Sequence, residues 1–328
     1  MIICKTPYRI SFFGGGTDFP DWYNRYGGRV ISTSINKYSY IVIRNLPEIF
    51  KYKFRIRYYF REETNSKNDI KHPVVRELLK LNKSIKNIDV THHGDLPART
   101  GVGSSSSFTV GLIHSLNALQ KKNINKKQLS DLAISFEQGI LKETVGSQDQ
   151  VIVSYGGFRS INFEKKKITT NLINNKNFIN KLEKWCQVFY LGNQRSASKL
   201  EDKKFGYINR NKKIILQNMM DITKEAQRLI LSKNTNSFYD FIKLLDEQWK
   251  LKKNLDTAVS SVNTNEMYEF SKRNGAISGK ILGAGGGGFF LLITPPQFQK
   301  SLEKKIKLSK INVKFENNGS QIIFNSKD

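Results

Sequence analysis

Alternating apolar and polar residues along the first hundred positions predict a series of β-strands. The segments are rich in β-branched and aromatic residues, which favour extended structure. They are "RISFF" (9–13), "RVISTSI" (29–35), "YSYIVIRN" (38–45), "KFRIRYYF" (53–60) and "NIDVTHH" (87–93). One helix, over "HPVVRELLKLN" (72–82), is predicted among these strands.

A helical period of apolar residues begins just after residue 103. Phe108, Leu112, Leu116 and Leu119 recur at i, i+4, i+8 and i+11, a spacing that places them on one buried face of a helix. A second helix is predicted from about residue 127 to residue 143. Its inner face is expected to hold Leu129, Leu132, Phe136 and Ile140.

The second half of the chain mixes long helices and short strands in no regular order. Helices are predicted at about 209–232, 237–254 and 296–308, and strands at 186–192, 276–283, 289–294, 312–315 and 321–324. Because regular β–α–β alternation is missing, the pattern favours an α+β fold over a doubly wound sheet. A polar stretch between residues 161 and 184 is the expected boundary between two domains, taken as 1–170 and 171–328.

The formal net charge of +26 raises the possibility of a nucleic-acid partner. However, the 54 basic residues are mostly lysines that are scattered along the chain, whereas a binding stripe would be clustered and richer in arginine. A solvated basic surface is therefore the favoured interpretation, and nucleic-acid binding remains a distant alternative.

Cysteine content and apolar patterning limit the classes of protein further. Cys4 and Cys186 are too few for a disulfide framework, and neither lies at a metal-binding spacing. No apolar run reaches 18 residues, and the first residues lack the pattern of a signal peptide. The sequence thus predicts no membrane span and a reducing, cytoplasmic environment.

The stretch "DLPARTGVGSSSSFTVGLIHSL" (95–116) predicts an anion site. Gly101 and Gly103 let the backbone approach a ligand, and the serines that follow begin a helix whose first N–H groups have no intrahelical partner. An anion is stabilised at such a helix start. The loop is neither a Walker sequence nor a dinucleotide fingerprint, because the lysine and the third glycine that those motifs require are missing.

The same stretch resembles the phosphate loop of the GHMP kinases, written P-x-x-x-G-L-G-S-S-A-A. This sequence departs from the pattern at Val102 and has serines at the two alanine positions. The resemblance implies an N-terminal domain like a ribosomal protein, a ferredoxin-like C-terminal domain, and a site for ATP and Mg²⁺. The ATP-binding residues that it implies are Pro97, Gly101, Val102, Gly103, Ser104, Ser105, Ser106 and Ser107.

Two further glycine-rich blocks match the family in the expected order. "PYRISFFGGGTDFP" (7–20) resembles the first motif and "KILGAGGGGFFLLI" (280–293) resembles the third. By this resemblance Arg9 is an active-site arginine. The residues expected to face the substrate are Gly15, Gly16, Thr17, Asp18, Gly285 and Gly286.

The segment "TVGSQDQVIVSYGG" resembles the family's G-x-x-D-[NQ] setting for a catalytic aspartate. Asp149 would accept the proton of the substrate hydroxyl, and Arg9 beside it would favour the charged carboxylate. Orientation of the hydroxyl without full proton transfer is the other role open to Asp149. The resemblance also implies that Glu137 and Ser105 hold Mg²⁺, with Glu143 as the alternative carboxylate.

The first motif is most similar to that of the D-glycero-D-manno-heptose 7-phosphate kinases. Galactokinases show Gly-Glu-His-Thr-Asp at a turn that carries no histidine here, and "FYLGNQRSAS" (189–198) also suits the heptose branch. The resemblance implies phosphorylation of the anomeric hydroxyl of a sugar phosphate by a monomer or homodimer. Arg29 and Arg195, with Lys199 as a lesser candidate, are the cations expected to bind the distal phosphate. A fucokinase-like enzyme that acts on an unphosphorylated sugar is the alternative.

Overall fold

A computed structural model describes residues 1–165, 167–192, 209–234, 236–255, 259, 262–283 and 285–326. Strands form two separate sheets, and helices pack against both of them. None of the helices in these ranges is long and apolar enough to cross a bilayer. The α+β class predicted from the sequence is confirmed.

The first sheet contains the N-terminal strands and the last strands of the chain. Its members are β1 (Ile2–Phe13), β2 (Gly28–Arg44), β3 (Phe54–Arg57), β4 (Arg61–Thr64), β5 (Ile88–Gly94), β6 (Phe158–Glu164), β7 (Lys167–Leu172), β12 (Phe315–Glu316) and β13 (Gln321–Asn325). The spatial order is β13-β1-β2-β5-β3-β4, and β6 and β12 also pair with β2. All neighbouring pairs are antiparallel except β3 and β5.

The second sheet is antiparallel and has the order β11-β8-β10-β9. Its strands are β8 (Cys186–Gly192), β9 (Ser278–Ile281), β10 (Gly288–Ile293) and β11 (Ser309–Ile311). Because β12 and β13 lie in the first sheet, the chain returns to that sheet after completing the second one. The domain boundary expected at residue 170 falls within β7 and stays a prediction.

The helices are α1 (Pro20–Tyr26), α2 (Pro73–Leu81), α3 (Ser104–Leu119), α4 (Lys126–Ser135), α5 (Gln148–Tyr155), α6 (Lys176–Trp185), α7 (Arg210–Leu231), α8 (Ser237–Leu255), α9 (Val262–Arg273) and α10 (Pro296–Ile306). Those predicted at 72–82, 209–232, 237–254 and 296–308 begin and end within two residues of those positions, whereas four others, α1, α5, α6 and α9, were not predicted. A 3₁₀ turn lies at Lys67–Asp69. Helices α3, α5 and α7 contact both β1 and β2, and α8 contacts β1. The C-terminal half of β1 is consequently buried on both faces.

The face predicted for α3 is confirmed at Phe108, Leu112 and Leu116, which are all buried. The prediction for the next helix is wrong at Leu132 and Ile140, which are 49% and 42% exposed. Helix α4 ends at Ser135 and continues as a π-helical turn, Phe136–Ile140. Since a π turn holds an extra residue, it moves Ile140 off the inner face. The buried residues of α4 are Leu129, Ser130, Ala133 and Ile134, and Leu132 is not among them.

Two predicted strands also differ in extent. Segment 53–60 is not one strand, because β3 ends at Arg57 and the chain reverses, with Tyr58 N donating to Phe60 O at 2.9 Å. Only Phe315 of segment 312–315 belongs to a strand, β12. Conversely, the two strands predicted at 29–35 and 38–45 are one long strand, β2, which ends one residue before Asn45.

Candidate active site

A cleft of about 1010 Å³ joins the three glycine-rich segments. It is lined by residues from the ends of β1, the loop before α3, the start of α5 and the turn after β9. The residues predicted for the site that line it are Arg9, Gly15, Gly16, Asp18, Gly101, Gly103, Ser104, Ser105, Ser106, Glu137, Glu143 and Asp149. Segments far apart in the sequence therefore share one concave surface, as is typical of ligand-binding sites.

Arg9 and Asp149 form a two-pronged ion pair at the floor of this cleft. Arg9 Nε donates to Asp149 Oδ1 at 2.6 Å, and Arg9 Nη2 donates to Asp149 Oδ2 at 2.7 Å. Arg9 Nη1 donates to the Gly101 carbonyl, and Val102 O accepts from Arg9 N at 3.0 Å. Such a fork fixes the direction of the carboxylate. One arginine thus holds Asp149 and the glycine loop together, and the Asp149 side chain remains 21% exposed.

The four serines of the loop have different roles. Ser104 Oγ accepts from Arg99 N at 3.1 Å, which closes the loop. Ser107 Oγ donates to Pro7 O and Gly103 O and so ties α3 to β1. Ser106 Oγ donates to Glu137 Oε2 at 3.0 Å, whereas Ser105 is exposed to the cleft.

Gly101 and Gly103 both have positive φ, of 80° and 74°. Gly103 is the N-cap residue of α3, and no side chain caps that helix. A Cβ at Gly103 would lie 3.1 Å from Arg9 Cγ and 3.3 Å from Asp149 Oδ2. Free backbone N–H groups at the first turn of α3 therefore lie next to the ion pair, where a phosphate group can be bound.

Asp18 is almost fully buried, and its carboxylate accepts two backbone N–H bonds. Gly16 N donates to Oδ1 at 2.8 Å and Gln148 N donates to Oδ2 at 3.3 Å. A Cβ at Gly146 would overlap this carboxylate, so that close approach requires glycine there. Burial, followed by the charge of Asp149, raises the pKa of Asp18 against the lowering effect of these N–H groups. Asp18 thus connects the first motif to the start of the helix that carries Asp149.

Glu137 is buried because the π-helical turn directs it inward. Its Oε2 accepts from Ser106 and from Gln150 Nε2, while its Oε1 has no partner. Burial raises the pKa of Glu137 to about 7, and the hydrogen bonds oppose that rise. An unpaired buried carboxylate oxygen beside serine hydroxyls fits Mg²⁺, which prefers oxygen ligands and takes few of them from protein. Within the described ranges, no three His, Cys, Asp or Glu side chains cluster as a metal site.

Several residues from the predicted set do not line the cleft. Thr17 is buried and its Oγ1 donates to Gly14 O and Arg29 O, so that it fastens the first turn to β2. Gly285 and Gly286 pack against the backbone of Val259. Pro97, Val102, Ser107 and Arg29 do not line it either. Arg195 and Lys199 lie outside the described residues.

Three side chains from the second half of the chain were missed by sequence reasoning. Lys280 Nζ donates to Ser11 O at 2.9 Å and to Phe12 O at 3.0 Å. Lys252 Nζ donates to Gly283 O. The Gln248 amide, oriented with its oxygen toward the first motif, accepts from Gly14 N at 2.5 Å. The two glycine turns are therefore held by side chains that no local motif identifies, although the lysine that opens "KILGAGGGG" was a possible signal.

We expect Lys280→Met to flatten the pH dependence of stability. Burial, with a contribution from Arg9, lowers the pKa of Lys280 from 10.5 to about 7. Between these two values the unfolded chain holds a proton that the folded chain has lost, so that stability rises with pH by up to about 1.4 kcal/mol per unit. The penalty is complete below about pH 7 and is relieved as the pH rises.

Urea unfolding between pH 7.5 and 9.5 measures this slope. The exposed Lys243, whose ammonium pairs with Asp240, provides the matched control Lys243→Met. Equal slopes in the wild type and in Lys280→Met would contradict the prediction.

The comparisons with known proteins agree with this geometry. The model of the GHMP kinases N terminal domain matches residues 68–157. A D-glycero-alpha-D-manno-heptose 7-phosphate kinase from Campylobacter jejuni is 26% identical over 317 residues, which are 92% of each protein. Residues 68–157 thus form a GHMP kinase N-terminal domain. The resemblance seen in the three glycine-rich motifs is therefore confirmed.

Solved structures show that the similarity in fold extends over the whole chain. A D-glycero-D-manno-heptose 1-phosphate kinase from Bacteroides thetaiotaomicron has a TM-score of 0.79 at 18% identity, with 100% of both chains covered. The Methanococcus jannaschii mevalonate kinase has a TM-score of 0.71 at 20% identity, with 95% of this chain and 98% of that chain covered. The matched domain and the curated kinase relative, and not these structures, make the chain a phosphotransferase with a hydroxyl acceptor, and GHMP kinases use ATP as the phosphate donor.

Proposed function

We propose that this protein is a GHMP kinase and that it phosphorylates the anomeric C1 hydroxyl of D-glycero-D-manno-heptose 7-phosphate. The product would be the 1,7-bisphosphate, a precursor of nucleotide-activated heptose for surface polysaccharides. The observation that carries the proposal is the Arg9–Asp149 pair beside the glycine–serine loop in a single cleft. The similarity to the Campylobacter jejuni heptose 7-phosphate kinase over 92% of the chain favours this sugar.

The residues of the cleft divide the work of phosphoryl transfer. N–H groups at the start of α3 and the serine hydroxyls bind phosphate oxygens, and Asp149 accepts the proton of the acceptor hydroxyl. Arg9 holds Asp149 in place and offsets negative charge as it develops. Glu137 with Ser105 or Ser106 would hold Mg²⁺, which neutralises phosphate charge when bound. Arg195 remains the proposed partner of the 7-phosphate.

An assay of ADP release with a panel of sugars tests the proposal. The purified chain receives ATP and Mg²⁺ with heptose 7-phosphate, free heptose or L-fucose, and ³¹P NMR locates the new phosphate on the product. We expect the highest kcat/KM with heptose 7-phosphate and a phosphate on C1. Turnover of unphosphorylated sugars alone would reject this substrate. The fucokinase-like alternative would then hold, in line with the 21% identity to the Arabidopsis thaliana bifunctional fucokinase/GDP-fucose pyrophosphorylase over 88% of this chain and 29% of that protein.

A further inference from the structure

Two neutral polar side chains at the floor of the cleft have hydrogen-bonding atoms without partners. The first is Ser11, a residue that is 6% exposed and lines the cleft. Its Oγ is buried and has no hydrogen-bond partner. The second is Gln148, whose Oε1 is also buried and unpaired. Buried polar groups in folded proteins nearly always have a partner. Unlike Ser154, whose Oγ is also unpaired, these two residues line the cleft, where a ligand can supply a bond.

Gly15 places these two groups at one location. A Cβ at Gly15 would lie 3.7 Å from Gln148 Nε2 and 4.0 Å from Ser11 Oγ, and it would meet no other atom within 4 Å. The space above Gly15 is therefore open and is flanked by a hydroxyl on one side and an amide on the other. Ser11 follows Arg9 by two residues on β1, and Gln148 precedes Asp149 on α5, so both flank the catalytic pair.

The surrounding charges indicate which part of a substrate fits this space. The carboxylate of Asp18 lies beside it, since its Oδ1 accepts from Gly16 N at 2.8 Å, and Asp149 directly follows Gln148 in the chain. The neighbouring Lys280 already donates two hydrogen bonds to the carbonyls of Ser11 and Phe12. A phosphate group would be repelled by the Asp18 carboxylate, whereas a sugar hydroxyl can accept from Gln148 Nε2 and exchange hydrogen bonds with Ser11 Oγ.

We propose that Ser11 and Gln148 form a subsite above Gly15 for hydroxyl groups of the acceptor sugar, and that they determine which polyols the enzyme accepts. This inference rests on the proposed kinase function and adds the part of the substrate that these residues bind. A site built to hydrogen-bond a hydroxyl discriminates strongly against an analogue that lacks it, because its own polar groups are then left unpaired.

Three variants test the subsite. Ser11→Ala removes the hydroxyl, and Gln148→Met removes the amide but keeps the length of the side chain and the backbone N–H that binds Asp18. Gly15→Ala adds a methyl group to the open space without backbone strain, because Gly15 has no positive φ and the new contacts are of ordinary length. Ser154→Ala is the matched control, since Ser154 Oγ is also buried and unpaired but does not line the cleft.

Steady-state kinetics are measured with whichever sugar of the panel the wild type phosphorylates best, and with its monodeoxy analogues. Each of the three variants is expected to raise the acceptor KM about tenfold or more, while the KM for ATP and the melting temperature stay unchanged. With one deoxy analogue, Ser11→Ala or Gln148→Met should have the same acceptor KM as the wild type. That analogue lacks the hydroxyl that the side chain binds, so removing the side chain costs nothing further.

The outcomes separate this inference from the function on which it rests. Unchanged acceptor KM values in both Ser11→Ala and Gln148→Met, in a wild-type enzyme that does phosphorylate a sugar, would overturn the subsite alone. An equal rise in Ser154→Ala would also overturn it, because the effect would then not be local. A wild type that phosphorylates no sugar of the panel overturns the proposed function, and the subsite with it.

Discussion

Asp149→Asn is expected to lower kcat by about 10²- to 10⁴-fold, the usual contribution of a positioned general base. The asparagine keeps the shape of the side chain but cannot take a proton from the acceptor hydroxyl. It also leaves the buried Arg9 guanidinium without its negative partner, since both bonds of that fork end on Asp149. Nucleotide binding should persist, because the backbone of the glycine–serine loop does not depend on this carboxylate.

ADP release measures kcat, and calorimetry with a non-hydrolysable ATP analogue measures nucleotide affinity. Asp131→Asn is the matched control, because Asp131 pairs with Lys127 on the surface of α4 and does not line the cleft. A fall of only about tenfold in Asp149→Asn would favour the orienting role over proton transfer, since positioning and charge stabilisation dominate phosphoryl transfer. Normal turnover would refute both roles.

The parts of the site that sequence reasoning found are those with a local signal. Gly101 and Gly103 followed by serines predict a helix start that binds an anion, because the whole feature lies within a few consecutive residues. The face of α3 was predicted for the same reason, since Phe108, Leu112 and Leu116 report the period of a single helix. Strand β1, which carries Arg9, is likewise evident from its own apolar run.

The parts that sequence reasoning missed depend on packing between distant segments. The residues around Lys280 do not reveal that its Nζ donates to the carbonyls of Ser11 and Phe12, which lie 269 and 268 positions earlier in the chain. The hydrogen bond from Ser106 to Glu137 was also missed, because a π-helical turn is not evident from apolar spacing. The resemblance pointed to Ser105 for Mg²⁺, and that assignment remains a prediction.

Gly101→Ala and Gly283→Ala are each expected to lower the free energy of unfolding by about 2–4 kcal/mol and to abolish tight nucleotide binding. The reason is that the second and third glycine-rich segments touch backbone to backbone. A Cβ at Gly101 would lie 2.3 Å from Leu282 O, and a Cβ at Gly283 would lie 2.3 Å from Gly101 Cα. Both glycines also have positive φ, of 80° and 70°, which L-residues with a side chain rarely adopt.

Chemical denaturation and calorimetry with an ATP analogue measure the two effects, and Gly139→Ala is the control. A Cβ at Gly139 would meet nothing within 4 Å, and its φ is not positive, so that this variant should match the wild type. Since neither backbone can retreat without moving the carbonyl that accepts from Arg9 Nη1, the strain should spread from the glycine contact to the Arg9–Asp149 pair. Wild-type stability and nucleotide affinity in both Gly101→Ala and Gly283→Ala would show that the two segments do not meet, and would remove the structural basis for placing the phosphate loop beside Asp149.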